Sequence, residues 1–77
     1  MALPVTIEFA INYLPSREVQ SDIVIELFRI GGIRNVTFSE HDGLRLNITH
    51  VNENLSLTEI ILRSHLRTYY PSLLENY

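Results

Sequence analysis

An alternation carried without a break through a turn constrains this chain more than any other feature. Val36 and Phe38 precede His41-Asp42-Gly43, and Leu44, Leu46 and Ile48 follow it, with Asn35, Thr37, Ser39, Arg45, Asn47 and Thr49 between them. A period of two means strand, and two such runs around a short polar turn mean a β-hairpin. A two-residue Asp-Gly loop sets Phe38 opposite Asn47 and mixes the faces. A three-residue loop with Gly43 in the left-handed position pairs Phe38 with Leu46 and Val36 with Ile48 and keeps one face apolar. The pattern predicts the three-residue turn.

The remaining elements follow from the same kind of reading. Val5, Ile7, Phe9 and Ile11 alternate with Thr6, Glu8, Ala10 and Asn12, a half-buried strand that Tyr13-Leu14-Pro15 ends. Ser16 is a candidate N-cap with Glu18 in the first turn. Val19, Ile23, Leu27 and Ile30 make one helical stripe, and Gly31-Gly32 supplies the exit, so residues 16–30 are expected to be helical. Ile33 to Glu40 alternates again, as the first arm of the hairpin. Ser56-Leu57-Thr58-Glu59 fits a capping box, with Leu55 and Ile60 placed as a hydrophobic staple. That predicts a second helix from Leu57 to Tyr69, stopped by Pro71 and followed by a short tail.

With 77 residues there is room for one domain, its core expected over residues 5–70 and a tail over 71–77. The order is β-α-β-β-α. A crossover followed by a hairpin is most economically a split βαβ with the last strand inserted between the first two. The expected fold is α+β: a two-layer sandwich of ferredoxin-like type without its usual last strand. Two helices would cover one face of a three-stranded mixed sheet. The first strand is then an edge, with Glu8 its only charge, although edges are normally blunted by charge, bulge or proline. The helices also carry more apolar surface than three strands can cover. The candidate interface is therefore Val5, Ile7 and Phe9 on the strand with Ile25, Phe28, Leu62, Leu66 and Tyr69 on the helices.

Composition narrows the chemistry. No cysteine is present, which removes disulfides, thiolate metal sites and a thiol nucleophile. All six basic residues are arginines, scattered and outnumbered by nine acidic residues, with no basic patch for nucleic acid. The strand aromatics Phe9 and Phe38 fall on the apolar face and offer no open stacking platform for RNA. No run approaches a membrane span, and the start lacks a signal's basic region, so a cytoplasmic protein is expected. His41 and His50 lie about 20 Å apart along the hairpin at ~3.3 Å per residue, too far to share a metal. The serines sit at caps and turns, and no phosphate loop is present. No catalytic group, cofactor or metal site is therefore expected. Asn35-Val36-Thr37, Asn47-Ile48-Thr49 and Asn54-Leu55-Ser56 match the N-glycosylation pattern but have structural explanations on the polar strand face and at the helix start. Tyr69, Tyr70 and Tyr77 gather near the end of the chain, as a partner anchor or as a cover for the core.

The spacing of Gly32-Ile33-Arg34-Asn35-Val36-Thr37-Phe38, the hairpin, and Ser56-Leu57-Thr58-Glu59-Ile60-Ile61 resembles heavy-metal-associated domains over residues 5–66. That resemblance implies a ferredoxin-like fold. The family's metal-binding cysteine pair would lie around Tyr13 to Ser16 and is absent. The order also resembles small regulators of the DNA-damage-inducible protein I type, which lack the last strand too. Their second helix is acidic, whereas Arg63 and Arg67 stand here. The expected function is a small non-enzymatic interaction or regulatory module that forms a homodimer or binds a larger protein. The alternative is a ligand- or metal-binding domain of ferredoxin-like fold.

Overall fold

The computed structural model describes residues 3–75. Among them the chain forms β1 (Val5–Ala10), α1 (Arg17–Phe28), β2 (Ile33–Ser39), β3 (Arg45–His50) and α2 (Leu55–Tyr69), in the expected order. β3 lies between β1 and β2. The two outer strands run in the same direction but never touch, and both hydrogen-bonded pairs are antiparallel. The sheet is thus antiparallel, where the sequence suggested a mixed one.

The hairpin has the predicted register, with Phe38 opposite Leu46 and Val36 opposite Ile48. Gly43 takes φ +95°, a conformation that costs a side-chain-bearing residue about 1–2 kcal/mol. At its other end β2 departs from simple alternation. The register shifts between Ile33 and Asn35, so Arg34 is an extra residue, exposed on a β-bulge. Ile33 would otherwise share the polar face of Asn35 and Thr37. The bulge returns it to the core opposite His50.

One cluster forms the core. Phe9, Ile11, Val36, Leu46 and Ile48 come from one face of the sheet and its continuation, Ile23 and Leu27 from α1, and Leu62 and Leu66 from α2. Each large apolar side chain buried this way contributes roughly 1.5–3 kcal/mol. The Ser16 hydroxyl caps α1 by accepting from the Val19 N–H at 3.3 Å. The exit glycine is Gly32, at φ +89°. The Asn52 side chain fills the space where a Cβ would stand there, and it donates to the Gly31 carbonyl at 3.0 Å.

α2 begins two residues earlier than the capping-box reading. Asn54 is the cap: its Oδ1 accepts from the Leu57 N–H at 3.0 Å. Ser56 and Glu59 lie inside the helix, and Glu59 pairs with Arg63 at 3.5 Å. Leu55 and Ile60 are both exposed, so no staple joins them. The buried stripe is Thr58, Leu62 and Leu66, spaced by four, and the Thr58 hydroxyl returns to the Asn54 carbonyl at 2.8 Å.

The segment after α2 belongs to the core. Leu73 and Leu74 are buried, and Leu74 forms an antiparallel bridge with Ile11. Tyr77 lies outside the described residues.

Candidate interaction site

The direction of each backbone group on β1 can be read from its neighbours. The Ile11 N–H donates to the Leu44 carbonyl, toward β3. The Asn12 N–H donates the other way, to the Leu73 carbonyl at 2.8 Å, and the Ala10 carbonyl accepts from Glu75 N–H at 3.1 Å. Backbone groups in a strand alternate sides, so the odd residues of β1 bond β3 and the even residues point off the sheet. Ala10 and Asn12 are satisfied there by the tail. The Asn12 side chain holds the tail as well, donating from Nδ2 to the carbonyls of Ser72 and Leu74. Thr6 and Glu8 point off the same edge, and their amides and carbonyls have no backbone partner among the described residues.

Beside this edge runs a groove of about 550 Å³. One wall is Val5 to Glu8 of β1; the other is the first turns of α2, with Leu55, Ser56, Glu59 and Ile60. Val5 and Ile7 are half-buried, whereas Ile60 is 60% exposed and Leu55 49%. Glu8 is the charge on the strand wall; Glu59, on the helix wall, has Arg63 beside it. The Arg63 guanidinium also lies 5.1 Å above the Phe9 ring. His50, at the end of β3, is fully buried among the residues that line the groove. Its Nδ1 accepts from the Asn52 N–H at 3.1 Å, which places the proton of the neutral ring on Nε2. That Nε2 is buried with no hydrogen-bond partner among the described residues.

The eight expected interface residues do not form one surface. Phe9, Leu62 and Leu66 are core, each 2% exposed or less, so they offer a partner nothing. Leu62 and Leu66 follow Thr58 on the sheet-facing stripe of α2, and Phe9 sits under Arg63. Val5 and Ile7 remain at the edge. Ile25 and Tyr69 line a second, smaller groove between the helices, about 330 Å³, with Asp22, Glu26 and Tyr70. Here the Tyr70 phenol is held above its ordinary pKa, first by burial and then by Asp22 and Glu26. His65 approaches Glu26 at 4.0 Å in this region and packs against the Tyr69 ring. Phe28 is exposed at the end of α1 and lines neither groove.

The groove residues Leu55 and Ile60 were hidden by their apparent roles in a staple. The signal that Ile60 was free was the Thr58-Leu62-Leu66 spacing, which turns Ile60 away from the sheet. Among the described residues no three His, Asp or Glu side chains gather as a metal site, and no helix is long and apolar enough to cross a membrane. No family model, curated protein or solved structure matches the chain, so neither resemblance seen in its sequence has a relative to test it.

Proposed function

We propose that the chain is a non-enzymatic protein-interaction module that works by strand addition at the open edge of β1. It acts through self-association or by accepting an extended segment of a larger protein, with regulation of that partner as the outcome. The observation that carries the reading is the row of outward backbone groups on Thr6 and Glu8, without a backbone partner among the described residues, beside a groove where Val5, Ile7, Leu55 and Ile60 alternate with polar residues. A strand placed there gains backbone hydrogen bonds for affinity and a groove for its side chains. The tail already does this one step along, bridging Ile11 through Leu74.

The test uses a proline where it removes only an outward amide. Glu8→Pro takes away the Glu8 N–H, which faces off the sheet, and leaves the β1–β3 ladder intact. Sedimentation equilibrium over micromolar to millimolar concentrations should show association in the parent chain and its loss in the variant. In the associated state the Thr6 and Glu8 amides should exchange slowly with deuterium. Association unchanged by Glu8→Pro, with the Thr6 and Glu8 amides of the associated parent chain in fast exchange, would move the contact off this edge.

A further inference from the structure

The stretch of β1 whose outward groups have no backbone partner among the described residues is bounded at both ends. Extending the alternation back one step, Pro4 stands where an amide would point off the edge, and proline has none. At the other end the Ala10 carbonyl is already taken by the Glu75 N–H. What remains is Val5 to Phe9, and its centre is Ile7.

We infer that the occupant is a second copy of this chain, its β1 antiparallel to the first, with the two-fold axis passing through Ile7. The inference rests on the strand-edge reading and names its partner. Hydrogen-bonded pairs across the new junction must join outward residues to outward residues, which leaves three symmetric registers within reach. An axis at Glu8 sets two Glu8 carboxylates directly opposite each other, a destabilising like-charge pair. It also directs Thr6 at Ala10, whose carbonyl is occupied. An axis at Thr6 sends Glu8 against Pro4, which cannot donate. An axis at Ile7 pairs Thr6 with Glu8 of the second copy, and Glu8 with its Thr6. All the outward amides and carbonyls of both stretches are then used, and each carboxylate faces a hydroxyl-bearing residue.

The same register suits the other face. Ile7 meets Ile7 of the second copy as a non-hydrogen-bonded pair, the spacing at which side chains come closest. The two grooves, each between β1 and α2, become one seam. Ile7 and Ile60 of both copies line it, and each copy covers apolar surface that the other leaves in water. The product is a continuous six-stranded sheet with the helices of both copies on one face, a closed two-fold assembly with the β1 edges used up.

The cysteine-free sequence allows a clean test with single cysteines. Ile7→Cys should form a disulfide dimer under mild oxidation, because a non-hydrogen-bonded pair has a Cα separation of about 4.5 Å, inside the disulfide range. As a check independent of Ile7 packing, Thr6→Cys mixed with Glu8→Cys should give about tenfold more cross-linked dimer than Glu8→Cys alone, following the pair geometry. Glu8→Cys linking to itself as well as to Thr6→Cys would place the axis at Glu8 and overturn the proposal. A sedimenting dimer that none of these cysteines link would overturn it too. The edge reading would then survive only if Glu8→Pro still dissociates the dimer. A monomer whose Glu8 amide is already slow to exchange would mean that the chain's own residues beyond Glu75 fill the edge, which likewise overturns the second copy as occupant.

Discussion

Strands β1 and β2 border the same sheet, and each leaves alternate backbone groups pointing outward, Thr6 and Glu8 on one side and Val36 and Phe38 on the other. The borders differ in shape. β2 is bulged at Arg34, with a charged, exposed residue at the irregularity. Bulges bend a strand and raise its twist, which spoils the flat row of donors and acceptors that an incoming strand needs. β1 pairs with β3 in one unbroken register from Val5 to Ala10. It carries one charge, Glu8, whereas a groove lies beside both borders, between β1 and α2 on one side and between Phe38 to Glu40 and α1 on the other. The comparison teaches that topology creates two edges but local regularity decides which of them can accept a strand. The tail supports this, since the segment that folds back adds itself to the β1 side, at Ala10 to Asn12.

The largest way to disturb that difference is to pull the tail from β1. Leu73 is fully buried, so Leu73→Ala should cost about 2–5 kcal/mol, by lost burial and the cavity left behind. Urea unfolding gives the number. The variant should also lengthen the open edge, with the Ala10 to Asn12 region losing its exchange protection before the sheet centre does. A cost under about 1 kcal/mol would mean that the tail only decorates the fold.

A smaller effect on stability, with a sharper reading of the comparison, is expected from deleting Arg34. Ile33 then takes the regular position opposite His50 and keeps its core face, and β2 becomes straight. Stability should change by no more than about 2 kcal/mol, since no buried side chain is lost. The β2 edge, however, should now accept strands. The weight-average mass should climb beyond that of the parent at equal concentration, because both borders of the sheet are open. A variant that stays folded and shows the parent's association would remove the bulge as the cause of the difference.

Much of this architecture is legible from short-range pattern. The β2–β3 hairpin has period two on both arms and one glycine at the turn, so a one-residue slip would expose its whole apolar face. The bulge is less legible because Ile33 and Val36 are three apart, a spacing that alternation assigns to opposite faces. The interface set mixed two classes of residue for a related reason. Leu62 and Leu66 look surplus when counted against three strands, yet with Thr58 they form the stripe that the sheet covers. The tail's place is the least legible. It depends on Asn12 bonding to the carbonyls of Ser72 and Leu74, about 60 residues along the chain, and no local rule anticipates such a contact.

The smallest effect concerns the α2 wall of the groove beside β1. The first turn of α2 borders the groove with Leu55 and Ser56, and it is held by Asn54. The sequence reading puts the cap at Ser56, and the fold puts it at Asn54, two residue types that cap equally well. The fold selects Asn54 because starting there continues the helix through Thr58, whose hydroxyl and amide both return to the Asn54 carbonyl. Asn54→Ala removes the acceptor for the Leu57 N–H and should cost about 1 kcal/mol. Ser56→Ala, on an exposed helical position, should stay within about 0.5 kcal/mol. Glu59→Ala should add independently to either, because its partner is Arg63 and not the cap. Thermal or urea unfolding of the single and double variants measures all of these. The reverse ranking, with Ser56 the costly position and non-additive with Glu59, would restore the capping box and move the start of the helix. The groove wall would then begin after Leu55, and the β1 edge would lose one of its apolar neighbours.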